Sequence, residues 1–354
     1  MRTLFSMITG ALLLGTCASA QVGPAKSHHT ADGFQNNYPH EMHGFLDLMR
    51  WRRDRLFGDK VTEEPEGGFG LPLVEDDPAR VRPAVGEARI TWVGHATLLL
   101  QVNGINVLTD PTWSDRASPL SWAGPRRITP PGLAFTHLPE IHAVIISHNH
   151  YDHLNLETLH RLRARQPHNP PVVLAPLVVG GWLRENGVPE ALEFDWWESH
   201  ELPGLRATAV PVQHFSARTP FDRNESLWSG WVLDWDNFRF YFGGDTGYSQ
   251  DFKDVATRFP GIDLAALPIG AYAPRWFMKP VHLNPADAVL AHQDLAAKQS
   301  IAIHWGTFKL ADDHPTEAPR FLARDLALAK VPPTRFWVFT HGETRSITPL
   351  LKRP

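Results

Sequence analysis

The sequence AVIISHNHYDHLN occupies residues 143–155 and joins an apolar run to a cluster of ligand-type side chains. The run AVII is short, apolar and rich in β-branched residues, which is typical of a buried strand. The cluster that follows contains His148, His150, Asp152 and His153. In α/β folds, chemistry is concentrated where a rigid strand opens into a loop. Four such side chains within six residues indicate a metal site, because core histidines and solvated aspartates do not explain that density.

Three more ligand-type residues end other strand-like segments. His214 ends ATAVPVQH, Asp245 ends FRFYFGGD and His304 ends SIAIH. Two metal ions that share a water need about six or seven protein ligands, and these three complete such a set. Gly243 and Gly244 allow close backbone approach before Asp245. Each residue alone could cap a strand for structural reasons, but their common placement favours a metal pair.

The chain from residue 89 onward alternates strand-like and helix-like segments. RITWVG at 89–94 and TLLLQV at 97–102 are predicted strands, and Asn103-Gly104 after the second is a strong hairpin signal. Helices are predicted at 43–56, 155–165, 177–186, 249–259, 285–298 and 316–330. Interleaved strands and helices predict a layered α/β architecture, with one domain over residues 88–354.

The first twenty residues have the pattern of a signal peptide. Arg2 precedes an apolar stretch at 4–14, and Ala18-Ser19-Ala20 resembles a cleavage site. This predicts an exported protein, periplasmic or secreted. Cys17, the only cysteine, lies inside this leader, so the metal ligands of the mature chain must be nitrogen and oxygen atoms. The alternative is a lipoprotein processing site at 14–17, which the threonine before Cys17 makes a weaker match.

Residues 21–87 are predicted to form an N-terminal extension with one short basic amphipathic helix. Its sequence, HGFLDLMRWRRDRL at 43–56, combines apolar residues with four arginines. Such a helix either packs on its own domain or lies on a membrane interface, and both interpretations stay open. No later stretch reaches the roughly 18 apolar residues of a membrane-spanning helix.

Composition limits the classes of partner. The chain has 354 residues, is 43% hydrophobic and carries a net charge of −4 at pH 7. That hydrophobic content supplies a substantial core. The slightly acidic balance excludes a broad basic surface, so nucleic acid is not an expected partner. The sequence leaves the oligomeric state open.

The H-x-H-x-D-H pattern at 148–153 resembles the signature of the metallo-β-lactamase superfamily. Longer segments, spread over about residues 88–345, resemble the zinc-dependent phospholipase D family that hydrolyses N-acyl-phosphatidylethanolamines. These segments are TWVGHATLLL, LTDPTWSDRASPLSWAGPRR, ISHNHYDHLN, DWWE, FGGDTGY, LPIGAYAPRWFMKPVHLNPADAV and AIHWGTFKLA. The resemblance implies a four-layer αββα sandwich and a phospholipid substrate.

The same resemblance implies two zinc ions per chain. One would be held by His148, His150 and His214, the other by Asp152, His153 and His304, with Asp245 bridging both. Asp152, Asp245 and His282 are predicted to be catalytic, and Tyr151 and His282 to contact the substrate. A hydroxide bridging the two metals would attack the phosphodiester, which would release an N-acylethanolamine and a phosphatidic acid.

For several supporting residues, a purely structural role is an alternative to the functional one. Tyr151 could pack in its loop, and His282 could cap a helix or lie on the surface. Asp110 and His95 are candidates to hold metal-ligating histidines in place, although Asp110 also suits a turn before proline and His95 a packed core. Two aromatic clusters, Trp196-Trp197 and Arg275-Trp276-Phe277-Met278, are candidate walls of a lipid cleft or simply core.

Three functions remain for this site. The first is the phospholipase D reaction. The second is hydrolysis of a lactone or ester at the same metal pair, since a fold does not determine its substrate. The third is a secreted zinc-binding surface protein without catalysis, against which the full ligand set argues. The apparent export signal departs from the phospholipase family, which is represented mainly by intracellular membrane-associated proteins, and leaves the substrate and membrane contact open.

Overall fold

A computed structural model describes residues 26–58, 65 and 68–351. The predicted signal peptide at 1–20, with Cys17, lies outside these residues, so export and the lipoprotein alternative stay predictions. No helix within the described part of the chain is long and apolar enough to cross a membrane.

The described residues form sixteen strands and seven α-helices. The strands are β1 (His29–Thr30), β2 (Gly33–Phe34), β3 (Arg89–Gly94), β4 (Thr97–Val102), β5 (Ile105–Thr109), β6 (Ala143–Ile145), β7 (Val172–Pro176), β8 (Ala191–Phe194), β9 (Ser199–Leu202), β10 (Leu205–Val210), β11 (Gly230–Trp235), β12 (Phe238–Phe242), β13 (Leu264–Pro268), β14 (Gln299–Ile303), β15 (Phe336–Trp337) and β16 (Thr344–Ser346). The helices are α1 (Phe45–Phe57), α2 (Leu156–Arg165), α3 (Val179–Glu185), α4 (Asp251–Arg258), α5 (Arg275–Met278), α6 (Pro285–Asp294) and α7 (Ala318–Leu328).

Two seven-stranded sheets organise the chain. The first has the strand order β16-β3-β4-β5-β6-β7-β8, and the second has β15-β14-β13-β12-β11-β10-β9. Pairs from β16 to β5 and from β9 to β12 are antiparallel, whereas pairs from β5 to β8 and from β12 to β15 are parallel. The parallel strands are joined through crossovers, which is where the intervening helices lie.

Alternating side chains in the first sheet face two different cores. In β4, Leu98 and Leu100 belong to the core shared with the second sheet, whereas Leu99 belongs to the core under α2 and α3. Strand β6 shows the same alternation, with Ile145 turned toward the second sheet and Val144 toward the helices. The period of two residues therefore places a layer on each face of the sheet.

The second sheet is covered on its outer face by α4, α6 and α7. Phe252 of α4, Val289 of α6 and Leu322 of α7 are buried in the large core that also contains the strands of this sheet. Helices, sheet, sheet and helices thus follow one another, and the four-layer αββα sandwich predicted from the sequence is confirmed.

The hairpin signal after β4 was also correct. Val102 pairs with Ile105 across the turn, and Asn103 and Gly104 both have positive φ angles, 50° and 81°. Consecutive positive φ angles in a two-residue loop match the twist of the flanking strands, and glycine adopts them without strain.

The described part of the N-terminal extension packs on the sandwich. His28 bonds Asp195 in the loop after β8, and Asn37 donates to Asp251 at the start of α4. Val81 is buried in the core under α2 and α3. Helix α1 lies where the basic amphipathic helix was predicted and buries Trp51 against its own domain. The domain boundary placed at residue 88 stays a prediction.

Candidate metal centre

All seven predicted ligands follow strand ends. His148, His150, Asp152 and His153 lie in the loop after β6 of the first sheet. On the second sheet, His214 follows β10, Asp245 follows β12 and His304 follows β14. The centre therefore forms at one edge of the sandwich, where loops from the two sheets meet.

Three histidines, which we call the first ligand group, direct ring nitrogens at one another. They are His148, His150 and His214. The Nε2 atom of His148 lies 2.8 Å from Nδ1 of His150, and Nε2 of His214 lies 3.4 Å from the same Nδ1. Two ring nitrogens form a hydrogen bond only when one of them carries a proton and the other does not. Three unprotonated nitrogens can instead converge on one cation, and this arrangement suits a metal ion.

The second ligand group, Asp152, His153 and His304, is equally compact. The Nε2 atoms of His153 and His304 are 3.2 Å apart. Oδ2 of Asp152 lies 3.3 Å from the first of these nitrogens and 3.4 Å from the second. All three side chains are buried or nearly so, which is the setting in which a carboxylate and two imidazoles hold a metal.

Asp245 lies between the two groups. Its Oδ2 atom is 3.2 Å from Nε2 of His153 and 3.9 Å from Nε2 of His214, and its Oδ1 atom is 3.0 Å from Nε2 of His304. One carboxylate therefore reaches both ligand groups, which is the position predicted for a bridging ligand.

Hydrogen bonds from the outer ring nitrogens fix which nitrogen faces inward. Nδ1 of His214 donates to the carbonyl of Val281 at 2.9 Å, because a carbonyl can only accept. Nδ1 of His153 donates to Oδ2 of Asp110 at 2.7 Å. In both rings Nε2 is then the nitrogen that faces the centre and is available to a cation, as metal-ligating histidines require.

Ser147 extends this arrangement to His148. The Ser147 hydroxyl donates to Oδ2 of Asp110 at 2.6 Å and accepts from Nδ1 of His148 at 2.8 Å. Oδ1 of Asp110 also accepts the backbone N–H of Ser147 at 2.7 Å. Asp110 is therefore the buried carboxylate that orients two histidines of the centre, as the sequence suggested.

His95 contacts the centre from the other side. Its Nε2 atom donates to Oδ2 of Asp152 at 2.9 Å, and its ring lies 3.9 Å from the ring of His304. Burial, followed by the neighbouring His304, lowers the pKa of His95 to about 3. The neutral imidazole thus positions Asp152 and is also packed against His304. His95 therefore supports the centre and belongs to the buried core, the two roles that the sequence left open.

Burial keeps the first ligand group neutral. It is the largest cause that lowers the pKa of His148 and His214 well below the ordinary value, and that of His150 to about 4. Near pH 7 these nitrogens carry lone pairs and can bind a cation without first losing a proton.

The second ligand group concentrates negative charge. Burial alone would lower the pKa values of His153 and His304, but Asp245 and Asp152 outweigh it and raise that of His304 to about 9. Burial alone would raise the pKa values of both carboxyls, but the histidines hold them well below the ordinary range. Two buried carboxylates therefore need positive charge beside them, from protons or from a cation.

The two predicted substrate contacts lie at different distances from the centre. Nδ1 of His282 is 3.8 Å from Oδ2 of Asp245 and is buried without a hydrogen-bond partner among the described residues. Tyr151 is half-buried and its ring stacks under the guanidinium of Arg218, 4.0 Å away. Both belong to the edge of the centre, and their role in substrate contact stays a prediction.

The aromatic pairs take different places. Trp196 is core, since its ring stacks on His28 at 4.3 Å and only 1% of it is exposed. Trp276 is 36% exposed, and Phe277 packs on Trp51 of α1 with ring centroids 5.1 Å apart. Of the four rings only that of Trp276 is exposed, whereas Trp197 and Phe277 are half-buried.

Two supporting residues were missed in the sequence. Asn36 brackets the backbone of His214: its Oδ1 accepts the His214 N–H at 3.0 Å, and its Nδ2 donates to the His214 carbonyl at 2.8 Å. Arg218 donates to the carbonyls of Asn149 and Leu154 at 2.6 and 3.2 Å. No local pattern links Asn36 to a residue 178 positions away, or Arg218 to partners 69 and 64 positions away.

Comparison with known proteins identifies the class that this fold and centre define. A family model described as the beta-lactamase superfamily domain matches residues 105–305. The chain belongs to the metallo-β-lactamase superfamily, a class of metal-dependent hydrolases. Its resemblance to the phospholipase D family is confirmed by N-acyl-phosphatidylethanolamine-hydrolyzing phospholipase D 1 of Caenorhabditis elegans, which is 40% identical over 250 residues, 68% of this chain and 70% of that relative.

Two further comparisons bear on relatives and fold. An uncharacterized protein of Mycobacterium tuberculosis is 42% identical over 317 residues, which cover 88% of this chain and 82% of that protein. The solved structure of a metallo hydrolase from Ignicoccus hospitalis is similar with a TM-score of 0.54 at 19% identity, over 73% of this chain and 98% of that one. At that identity the likeness supports the fold alone.

Proposed function

We propose that the protein is a phosphodiesterase of phospholipase D type that hydrolyses N-acyl-phosphatidylethanolamine-like lipids with a pair of zinc ions. The observation that carries this proposal is the placement of Asp245 between two compact groups of inward-facing ligand atoms. The similarity to the Caenorhabditis elegans enzyme supports the choice of substrate class.

The residues present fit two metal ions. His148, His150 and His214 would hold one, Asp152, His153 and His304 the other, and Asp245 both. The donor set is nitrogen and oxygen only, which zinc accepts in catalytic sites. When bound, such a pair supplies an activated water and neutralises charge that develops on the phosphate oxygens.

The chain's own residues position the substrate. Hydrolysis adds water across the P–O bond on the ethanolamine side, so the phosphorus keeps the hydroxyl and the leaving oxygen takes a proton. His282 faces Asp245 with an unpaired ring nitrogen, where it can contact the phosphate or the leaving oxygen. Tyr151, held by Arg218, completes the proposed substrate contact.

A side-by-side assay of the zinc-loaded protein tests the proposal. The substrates are an N-acyl-phosphatidylethanolamine, phosphatidylcholine, bis-p-nitrophenyl phosphate and an acyl lactone. We expect the first lipid to yield N-acylethanolamine and phosphatidic acid by mass spectrometry. Activity confined to the lactone would instead establish the alternative, a lactone or ester hydrolase on the same centre.

A matched pair of histidine variants connects the activity to the centre. His150→Ala removes a ligand of the first group, so we expect loss of both turnover and bound zinc. His160→Ala is the control, because His160 is exposed on α2 and bonds only the carbonyl of Asn186 among the described residues. Full turnover by metal-stripped protein would contradict the mechanism.

A further inference from the structure

The first ligand group is accessible to solvent at His150. His148 and His214 are buried, whereas His150 is half-buried. The half-buried ring of Phe215 packs against His150, and the two ring centroids are 4.6 Å apart. A substrate that reaches the first ligand group past His150 therefore meets the Phe215 ring. We call this the open side of the centre.

A guanidinium lies over the Phe215 ring at this open side. The Cζ atom of Arg223 is 4.2 Å from the ring centroid, and the Arg223 side chain is exposed. The contact places a positive charge one aromatic ring away from the predicted ligand His150. A cation is attracted to the face of a ring, but the contact occupies none of the N–H donors at the edge of the guanidinium.

The N–H donors of Arg223 have no acceptor within the chain. No hydrogen bond or ion pair joins its guanidinium to another of the described residues. Partial burial lowers the pKa of Arg223, and no neighbouring carboxylate raises it. Arg218 in the same loop differs, because it donates to the carbonyls of Asn149 and Leu154. Of these two arginines, Arg223 is therefore the one whose donors are available to a ligand.

The acidic neighbour of Arg223 is occupied inside the loop. Oδ1 of Asp222 accepts the backbone N–H groups of Arg218 and Thr219, at 3.1 and 2.8 Å. An aspartate that bonds backbone N–H groups in this way stabilises a turn. The turn leaves the guanidinium of Arg223 over Phe215 without a carboxylate beside it.

An unpaired cation at this place suits an anionic substrate. Positive charge beside a cation-binding centre repels a metal ion, so metal binding does not explain the position of Arg223. A phosphodiester carries a negative charge, and its oxygens match the paired N–H donors of a guanidinium. A lactone or a simple ester carries no charge and lacks this interaction. Arg223 therefore favours one of the substrate classes considered for this centre over the other.

We propose that Arg223 is a specificity-determining residue that binds the phosphate of an anionic substrate at the open side of the centre. Its N–H groups donate to phosphate oxygens and hold the phosphodiester beside His150. The inference rests on the proposed function, and it identifies a residue that selects a phosphodiester over a neutral ester. Because a cation at the rim of a site acts on encounter and binding, its effect falls on KM and weakens with salt.

Three variants test this role with the zinc-loaded protein. Arg223→Gln removes the charge and Arg223→Lys keeps it. Arg161→Gln is the control, because Arg161 is also exposed, lies 4.1 Å from the centroid of the Phe135 ring and has no hydrogen bond to another described residue.

The first measurement is hydrolysis of bis-p-nitrophenyl phosphate at low and high salt. We expect Arg223→Gln to lower kcat/KM by about three- to tenfold, mainly through KM, and Arg223→Lys to restore part of the loss. Added salt should reduce the difference. The control and the zinc content of all variants are expected to be unchanged.

The second measurement is binding without turnover, by calorimetric titration of dihexanoyl phosphatidic acid into the zinc-loaded proteins. We expect Kd to rise in Arg223→Gln by a similar factor and to stay unchanged in the control. Failure of the proposed function gives a different result from failure of this inference. Binding that depends on Arg223 in a protein that hydrolyses no phosphodiester would contradict the proposed function and support phosphate recognition by Arg223.

Three results would overturn the inference. The first is equal KM and Kd in Arg223→Gln and the unmodified protein, or no binding of the phosphatidic acid by either. The second is an Arg223→Lys variant as impaired as Arg223→Gln, since packing on Phe215 would then be the role of the side chain. The third is an equal loss of activity on the neutral ester p-nitrophenyl acetate.

Discussion

Asn36 shows how a residue outside the sandwich can control a ligand within it. Its side chain bonds both the N–H and the carbonyl of His214, and its Oδ1 also accepts from Nε1 of Trp228 at 3.0 Å. Because outer hydrogen bonds orient metal ligands, their loss weakens metal affinity by roughly ten- to a hundredfold.

We therefore predict that Asn36→Ala weakens zinc binding at the first ligand group by about tenfold or more. The measurement is zinc competition with a chromophoric chelator. Asn37→Ala is the matched control, because the side chain of the neighbouring Asn37 donates to Oδ1 of Asp251 at 2.8 Å, and among the described residues it bonds none of the seven ligands. Equal zinc affinity in both variants would show that the bonds of Asn36 hold the N-terminal segment on the domain and do not affect metal binding.

At the residue scale, local chemistry made most of the centre predictable. The loop after β6 contains four ligand-type side chains within six residues, and this density is visible without a structure. The support of His214 by Asn36 and of the loop by Arg218 was not predicted. These contacts are set by folding, and asparagine and arginine are common enough that their type alone indicates nothing.

At the scale of elements, the turn after β12 places Asp245 by means of a glycine. Gly244 has φ +56°, and a Cβ there would lie 2.6 Å from Cβ of Ser147. Ser147 is buried and bonded to Asp110, so it cannot move away at low cost.

Gly244→Ala is expected to lower the free energy of unfolding by about 1–3 kcal/mol more than Gly261→Ala does. Gly261 has φ +83° with no atom within 4 Å of a Cβ, so both variants share the left-handed backbone strain and only the first adds a clash. Urea titration measures the difference. An equal loss of stability in both variants would mean that the turn accommodates the added Cβ without a steric cost.

Helix α6 and strand β14 meet at a buried histidine that makes stability depend on pH. His292 is 5% exposed, and its Nδ1 atom lies 2.8 Å from the Ser300 hydroxyl. Burial, followed by the charge of Arg335, lowers the pKa of His292 to about 4. Since the unfolded chain binds this proton more readily, the contribution of His292 is complete above about pH 6.5 and is lost as the pH falls toward 4.

We predict that His292→Asn, whose amide can replace the bond to Ser300, loses less stability than the unmodified protein between pH 7 and pH 4.5. The comparison uses the free energy of unfolding in urea at several pH values, with the metal removed from both proteins. Identical pH dependence would exclude His292 as a source of the effect.

The elements themselves were unevenly predictable. Strands β3 and β4 begin and end where the segments RITWVG and TLLLQV do. Helix α6 begins at Pro285 with Asn284 as its cap, and Oδ1 of Asn284 accepts the Asp287 N–H at 2.8 Å. Strand β13, Leu264–Pro268, was missed, because its sequence LAALP contains none of the β-branched or aromatic residues that indicate a strand. The short edge strand β9, Ser199–Leu202, was missed for another reason, since its side chains are exposed or only half-buried.

At the scale of the whole molecule, the centre depends on the packing of the two sheets. The first sheet supplies His148, His150, Asp152 and His153, and the second supplies His214, Asp245 and His304. Neither half has a complete set of ligands, so metal binding and folding of the sandwich are linked.

Metal removal is accordingly expected to lower the midpoint of thermal unfolding of the protein, and added zinc to restore it. The reason is that a ligand bound only by the folded state stabilises that state. Scanning fluorimetry with and without chelator measures the shift, and His150→Ala should reduce it. An unchanged midpoint after complete removal of metal would show that metal binding does not stabilise the fold.

The account depends most on the claim that two metal ions share Asp245. Anomalous X-ray scattering from zinc-soaked crystals, recorded on both sides of the zinc absorption edge, tests this directly. We predict two peaks about 3.5–4 Å apart, one among His148, His150 and His214 and the other among Asp152, His153 and His304. A single peak, or none within reach of Asp245, would contradict the account.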